Sequence, residues 1–161
     1  MVSINNCEFI NNISESSHSG ALTIWPFGTP GESLTAKVKG CRFINNQGNF
    51  GGAADIQNSN VTFQNCLFSG NHAERGGAIY QQEKNLNLIN CTFSENTASI
   101  KGGALANNSG NLTVQNSIFW DNNSPEGNTI KNDTFLNIPN SIFEHSLLQE
   151  DFCTFSYTTC N

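Results

Sequence analysis

Apolar and polar residues alternate along this chain in short runs that recur at a nearly fixed spacing. Aligned on cysteine, the runs repeat after 25 residues from Cys41 to Cys66 and after 25 more to Cys91. The next copy has Ser117 at that position, 26 residues further on. Five and three residues before the cysteine stand apolar residues with a polar one between them, a pattern typical of a half-buried strand. Each copy therefore begins with a short β-strand.

The residue just before the cysteine predicts a bend. It is Asn65, Asn90 and Asn116 in three copies and Gly40 in another, and these two residue types adopt a left-handed backbone most readily. A second short strand then carries the cysteine and a Phe two residues later, both facing inward. A corner with Asn and Gly-Gly follows, and then a third strand that begins with alanine.

Residues that share a repeat position form three columns. The cysteine column contains Cys7, Cys41, Cys66 and Cys91. The phenylalanine column contains Phe9, Phe43, Phe68, Phe93 and Phe119. The asparagine column contains Asn12, Asn46, Asn71, Asn96 and Asn122. We expect free, packed thiols in the first column, stacked buried rings in the second, and amides that satisfy corner backbone groups in the third.

Three short strands per repeat predict an all-β fold, a single-stranded right-handed parallel β-helix of the pectate-lyase-like type. We expect about five to six coils of about 25 residues, stacked about 4.8 Å apart. A helical solenoid would show apolar residues at a period of 3.6, and a propeller blade needs about 40 residues. We assign residues 1–150 to the β-helix, as a fragment of a longer solenoid, and residues 151–161 to a C-terminal tail or cap.

An insertion at residues 23–33 interrupts the first repeat. It carries Trp25 and Phe27 among two prolines and two glycines, which predicts a loop. Two interpretations stay open: a surface that stacks a ligand, with Trp120 as a further candidate, or a loop that covers the apolar end of the core. In the tail, Cys153 and Cys160 lie outside the column and are candidates for a disulfide in an exported protein.

Composition narrows the range of partners. The net charge of −6 and the pI near 4.8 argue against nucleic acid and anionic membrane surfaces, which require basic patches. No apolar run approaches the about 18 residues that a transmembrane helix needs. No C-x-x-C pair is present, and we expect neither a metal nor a cofactor. The N-terminal residues correspond to the middle of a coil without a signal peptide, which favours a piece of a longer protein. We expect this piece to be monomeric.

Some repeats resemble a known family. F-x-x-N followed by G-A-[ILV] occurs as Phe68 to Asn71 with Gly77 to Ile79, and as Phe93 to Asn96 with Gly103 to Leu105. Over residues 4–122 these motifs resemble the repeats of chlamydial-type polymorphic outer membrane proteins. Residues 112–150 are similar to the end of the β-helix in bacterial surface proteins of the choice-of-anchor Q type. Both resemblances imply export, a pectate-lyase-like right-handed β-helix and a surface or adhesive role, and neither brings a catalytic residue.

One constellation could support catalysis. Glu95, Asp121 and His145 fall four residues after the cysteine position on successive repeats, so two carboxylates could lie about 5 Å apart, as in retaining glycosidases. The same position is a corner, where such groups are commonly solvated. The sequence therefore favours a non-catalytic extracellular or cell-surface module that binds carbohydrate or protein. A fragment of a lyase or glycoside hydrolase acting on acidic polysaccharide is the alternative.

Overall fold

The chain forms short β-strands, as the repeat predicts. The computed structural model describes residues 1–15, 18–27, 31–127, 129–133, 142–144 and 147–148, with side chains described up to residue 130. Over these residues the regular structure is entirely β. The strands are β1 (Val2–Asn5), β2 (Glu8–Ile10), β3 (Leu22–Ile24), β4 (Leu34–Lys39), β5 (Arg42–Ile44), β6 (Ala54–Gln57), β7 (Ser59–Gln64), β8 (Leu67–Ser69), β9 (His72–Arg75), β10 (Ile79–Gln82), β11 (Asn85–Ile89), β12 (Thr92–Ser94), β13 (Thr97–Lys101), β14 (Leu105–Asn108), β15 (Asn111–Gln115), β16 (Ile118–Trp120), β17 (Ile130–Asp133), β18 (Ile142–Glu144) and β19 (Leu147–Leu148).

Each strand pairs in parallel with the strand one repeat away. The first sheet has the order β1-β4-β7-β11-β15-β18, the second β2-β5-β8-β12-β16-β19, and the third β3-β6-β10-β14-β17. The register follows the sequence repeat, since Leu86 lies between Val61 and Leu112 in the first sheet. The predicted all-β parallel solenoid is thereby confirmed.

A short fourth strand was not expected. The sequence predicted one corner between the repeated Asn and the Gly-Gly, but β9 and β13 lie there and form a two-stranded parallel sheet. Its register shifts between Ala98 and Lys101, because the later repeat has one additional residue in this segment. The coil therefore has an extended side where a single turn was predicted.

Left-handed residues make the corners, as predicted. Asn65, Asn90 and Asn116 have φ values of 55°, 53° and 50°, and Gly40 has 63°. The first glycine of each Gly-Gly is also left-handed, and at Gly76, with φ of 66°, a Cβ would collide with the carbonyl oxygen of Ile79. Only glycine fits such a corner without strain.

Stacked aromatic rings fill the centre of the solenoid. In the phenylalanine column, successive ring centroids are 4.8, 4.8, 4.6 and 4.5 Å apart, and the rings are parallel within 3°. Phe63 of the first sheet meets the rings of Phe43 and Phe68 edge-on. These offset and edge contacts add to the hydrophobic stabilisation of the core.

Cysteines pack beside the rings as free thiols. Cys41, Cys66 and Cys91 are buried, whereas Cys7 at the first coil is exposed. The Cys66 thiol donates to the carbonyl oxygens of Gln64 at 3.4 Å and Val38 at 3.5 Å. Burial raises the pKa of the Cys41 thiol, which favours its neutral form.

The asparagine column forms a hydrogen-bonded ladder, as the sequence predicted. The Asn71 side-chain oxygen accepts from the backbone N–H and the Nδ2 of Asn46, at 2.9 and 3.0 Å. The Asn71 Nδ2 donates to Asn96 Oδ1 at 2.9 Å and to the carbonyl oxygen of Phe43 at 3.0 Å. Asn46, Asn71 and Asn96 are fully buried, so these amides satisfy backbone groups that water cannot reach.

We predict that Asn71→Ala lowers the free energy of unfolding by about 2–4 kcal/mol, because two donors of Asn46 lose their buried acceptor. The matched control is Asn12→Ala, at an exposed position of the same column, which should cost less than about 1 kcal/mol. Urea unfolding of both variants measures the difference. Equal losses would show that the ladder does not stabilise the interior coils.

Candidate functional site

A groove of about 220 Å³ runs along the outer surface of the third sheet. The side chains of His18, Phe50, Gln57, Tyr80 and Gln82 line it. None of these residues belonged to the site predicted from the sequence. The groove combines aromatic rings, amides and one imidazole, a mixture suited to a polar ligand that also has apolar faces.

The floor of the groove consists of outward-facing residues of β6 and β10. Along β6, Ala54 and Ile56 belong to the hydrophobic core, so Asp55 and Gln57 point to the opposite face. In register, Asp55 lies beside Tyr80, and Gln57 lies beside Gln82. The spacing of one repeat therefore brings the four floor residues together in two adjacent rows.

Asp55 is an outward-facing residue that is nevertheless fully buried. Its Oδ2 accepts hydrogen bonds from His18 Nδ1 and from Gln57 Nε2, both at 3.0 Å. Its Oδ1 is buried and has no hydrogen-bond partner among the described residues. Burial raises the pKa of the Asp55 carboxyl, and the hydrogen bonds from His18 and Gln57 oppose that shift. The ionised form of such a carboxyl group is costly in free energy. Buried ionisable groups beside a groove are candidates for functional residues.

Main-chain hydrogen bonds hold His18 above this carboxylate. Its carbonyl oxygen accepts from the N–H of Asn49 at 3.1 Å, and the N–H of Gly20 donates to the carbonyl oxygen of Gly52 at 3.1 Å. The His18 side chain is 38% exposed, whereas the Asp55 side chain is fully buried. The pair thus has one buried member and one member that reaches the groove.

Tyr80 and Phe50 form the aromatic part of the groove. Their ring centroids are 4.9 Å apart. The Arg75 guanidinium lies over the Phe50 ring, 5.7 Å from its centroid. The Tyr80 hydroxyl oxygen accepts from Asn108 Nδ2 at 3.2 Å. Because the oxygen accepts in this contact, the Tyr80 O–H can donate to another group.

The aromatic residues of the insertion extend this site. The Trp25 ring lies 6.0 Å from the His18 ring and 5.3 Å from the Phe27 ring. Trp25 is 44% exposed and Phe27 is 92% exposed, so Phe27 does not cover the core. The first residues of the predicted insertion belong to β3, and the loop begins after Ile24. The exposed rings provide an aromatic surface next to the imidazole.

The other predicted site residues lie elsewhere. Glu95 and Asp121 are exposed and occupy left-handed corners with φ of 58° and 53°. Trp120 is 52% exposed on the second sheet, away from the groove residues of the third. The predicted third member of the acidic constellation and the predicted disulfide lie outside the described residues; they are His145, Cys153 and Cys160.

Metal ligands do not gather in the part of the chain that the structure describes. No group of three or more His, Cys, Asp or Glu side chains there could hold a metal ion. No helix in that part is long and apolar enough to cross a membrane.

The whole coil architecture corresponds to a known family. Residues 1–147 match the family model described as right handed beta helix region, and the chain belongs to that family. No curated protein and no solved structure matches the chain. The family defines the solenoid and leaves the ligand of the groove open.

The raised pKa of Asp55 predicts how the stability of the fold depends on pH. Its folded-state pKa is raised above the ordinary value of 3.8, so the folded protein holds this proton more tightly than the unfolded chain. The resulting stabilisation is complete below 3.8 and is lost as the pH rises through the raised pKa. Asp55→Asn removes the titrating carboxyl, so the stability of the variant should rise relative to that of the wild type as the pH rises. Thermal unfolding of both proteins over a pH series measures this trend, and a constant difference would contradict it.

Proposed function

We propose that this chain is a module of an extracellular or cell-surface protein and binds carbohydrate in the groove on its third sheet. The observation that carries the proposal is the adjacency of exposed Trp25 and Phe27 to a groove lined by amides, an imidazole and Tyr80. Aromatic rings pack against the apolar faces of sugar rings, while amides and hydroxyls exchange hydrogen bonds with sugar hydroxyls.

The polarity of the groove favours carbohydrate over a protein partner. Gln57 and Gln82 present amides that both donate and accept, which suits the hydroxyl groups of a sugar. Protein interfaces of ordinary strength bury about 800 Å² on each partner and have an apolar centre. A groove of about 220 Å³ is suited instead to one or two sugar units.

An adhesive role on the cell surface is part of the proposal. The repeats that resemble polymorphic outer membrane proteins and choice-of-anchor Q proteins support export. The predicted five to six coils of a pectate-lyase-like helix provide a rigid support that holds the groove away from the surface. Low charge and many Asn, Ser and Gly residues accord with a solvated exterior.

Cleavage of a polysaccharide is a second candidate function. The specific observation in its favour is the buried Asp55 carboxylate in contact with a groove-lining imidazole. The acidic corner residues Glu95 and Asp121 lie on exposed turns outside this groove. Any catalytic activity would therefore depend on His18 and Asp55.

We predict that Trp25→Ala weakens carbohydrate binding at least about tenfold, which corresponds to about 1.4 kcal/mol for a lost stacking surface. A glycan array identifies a ligand, and calorimetry then gives the dissociation constants. Trp120→Ala is the matched control, because it removes an indole of similar exposure from another sheet and should leave affinity unchanged. Equal affinity of the Trp25 variant and the wild type would refute the assignment, as would the absence of any bound glycan.

A further inference from the structure

We propose that the groove hydrolyses an ester substituent of the carbohydrate it binds, with His18 as the general base and Asp55 as the residue that positions it. This inference rests on the proposed carbohydrate function, and it adds a reaction to it. The juxtaposition behind it is a groove-lining imidazole, a fully buried carboxylate beneath that imidazole, and a phenol on the same floor.

The contact with Asp55 decides which imidazole nitrogen is basic. Asp55 Oδ2 also accepts from Gln57 Nε2 and so acts as an acceptor; His18 Nδ1, 3.0 Å away, therefore carries the proton and donates a hydrogen bond to it. The lone pair is then on Nε2, at the other side of a ring whose surface is 38% exposed. Asp55 itself is too deeply buried to touch a ligand, so its role is to orient the imidazole and to hold the tautomer with a lone pair on Nε2.

Two other reactions of carbohydrates fit the groove less well. Glycoside hydrolysis commonly uses two carboxyl groups that both reach the scissile bond, and the described lining of the groove has none. Elimination from a uronic acid requires a cation to neutralise the sugar carboxylate. Arg75 lies over the Phe50 ring and is not among the residues that line the groove.

Ester hydrolysis needs only a base for water and a donor for the developing oxyanion. His18 Nε2 takes a proton from water as the water oxygen bonds to the ester carbonyl carbon, and the carbonyl electron pair moves to its oxygen. The Tyr80 hydroxyl, whose oxygen accepts from Asn108, donates to that oxyanion. The electron pair then returns, the bond to the sugar oxygen breaks, and that oxygen takes the proton from His18. The products are the free sugar hydroxyl and a carboxylic acid.

The test uses two probes, p-nitrophenyl acetate and an acetylated xylan, with acetate release from the xylan followed by proton NMR. His18→Gln keeps a donor for Asp55 and removes the base, so kcat/KM should fall at least about 100-fold. His72→Gln is the matched control, because it alters an exposed histidine that contacts Thr97 outside the groove. That control should retain the wild-type rate.

Asp55→Asn tests the positioning role. The amide that replaces the carboxylate can donate to His18 Nδ1, so the tautomer with a lone pair on Nε2 is no longer favoured. The maximal kcat should fall while KM changes little, because Asp55 does not touch the ligand. Loss of packing alone would lower the amount of folded protein and leave kcat per folded molecule unchanged, and circular dichroism of each variant separates the two effects.

Tyr80→Phe provides a variant that keeps the aromatic stack. It should lower kcat about 100-fold through loss of the oxyanion donor. A wild-type rate in both the His18 and Tyr80 variants would overturn the inference. A wild-type protein that binds the acetylated xylan without releasing acetate would overturn the reaction alone, whereas a protein that binds no glycan would overturn the proposed function as well.

Discussion

The hydrogen bond between asparagine side chains one repeat apart is the interaction on which the other features of this solenoid depend. Each buried amide accepts two hydrogen bonds from one coil and donates to the next. Since an unsatisfied buried amide would cost more than the hydrogen bond contributes, the ladder permits little slippage of one coil against another. The rings of the phenylalanine column can then stack nearly parallel, because the backbone register is already set.

The interior of the fold could be predicted well because its signal is periodic. The columns of Cys, Phe and Asn and the left-handed residues at Asn65 and Asn90 follow from spacing and residue type. The short strand β9 could not be predicted, since His72 to Arg75 has no alternation that separates it from a turn. The repeats thus predict which residues stack, but they do not predict each short strand between the corners.

The site could not be predicted for a different reason. In the sequence Asp55 looks like a solvated outward residue of a strand, but in the structure it is buried and accepts hydrogen bonds from His18 and Gln57. His18 belongs to the irregular first repeat, where the additional residues break the alignment. One signal was available, since Asp55 and Tyr80 share a repeat position and Thr23 lies beside them in register. The row continues with Ala106 and Lys131, so this position repeats no residue type, unlike the columns of the core.

The groove lies where a rigid sheet meets an irregular segment. β6 and β10 supply a floor whose geometry is held by the ladder and the core. The segment from His18 to Phe27 supplies an imidazole and two aromatic rings that no regular coil provides. Binding residues on loops over a rigid scaffold are common because loops vary without loss of the core.

The asparagine ladder also has a direction. In every described step the backbone N–H and Nδ2 of the earlier coil donate to the Oδ1 of the later coil, from Asn12 to Asn46 and on to Asn122. The amide dipoles therefore point the same way along the axis and do not cancel. A coil that joins ahead of the first must bring donors, and two solenoids that meet by their first coils would set oxygen against oxygen.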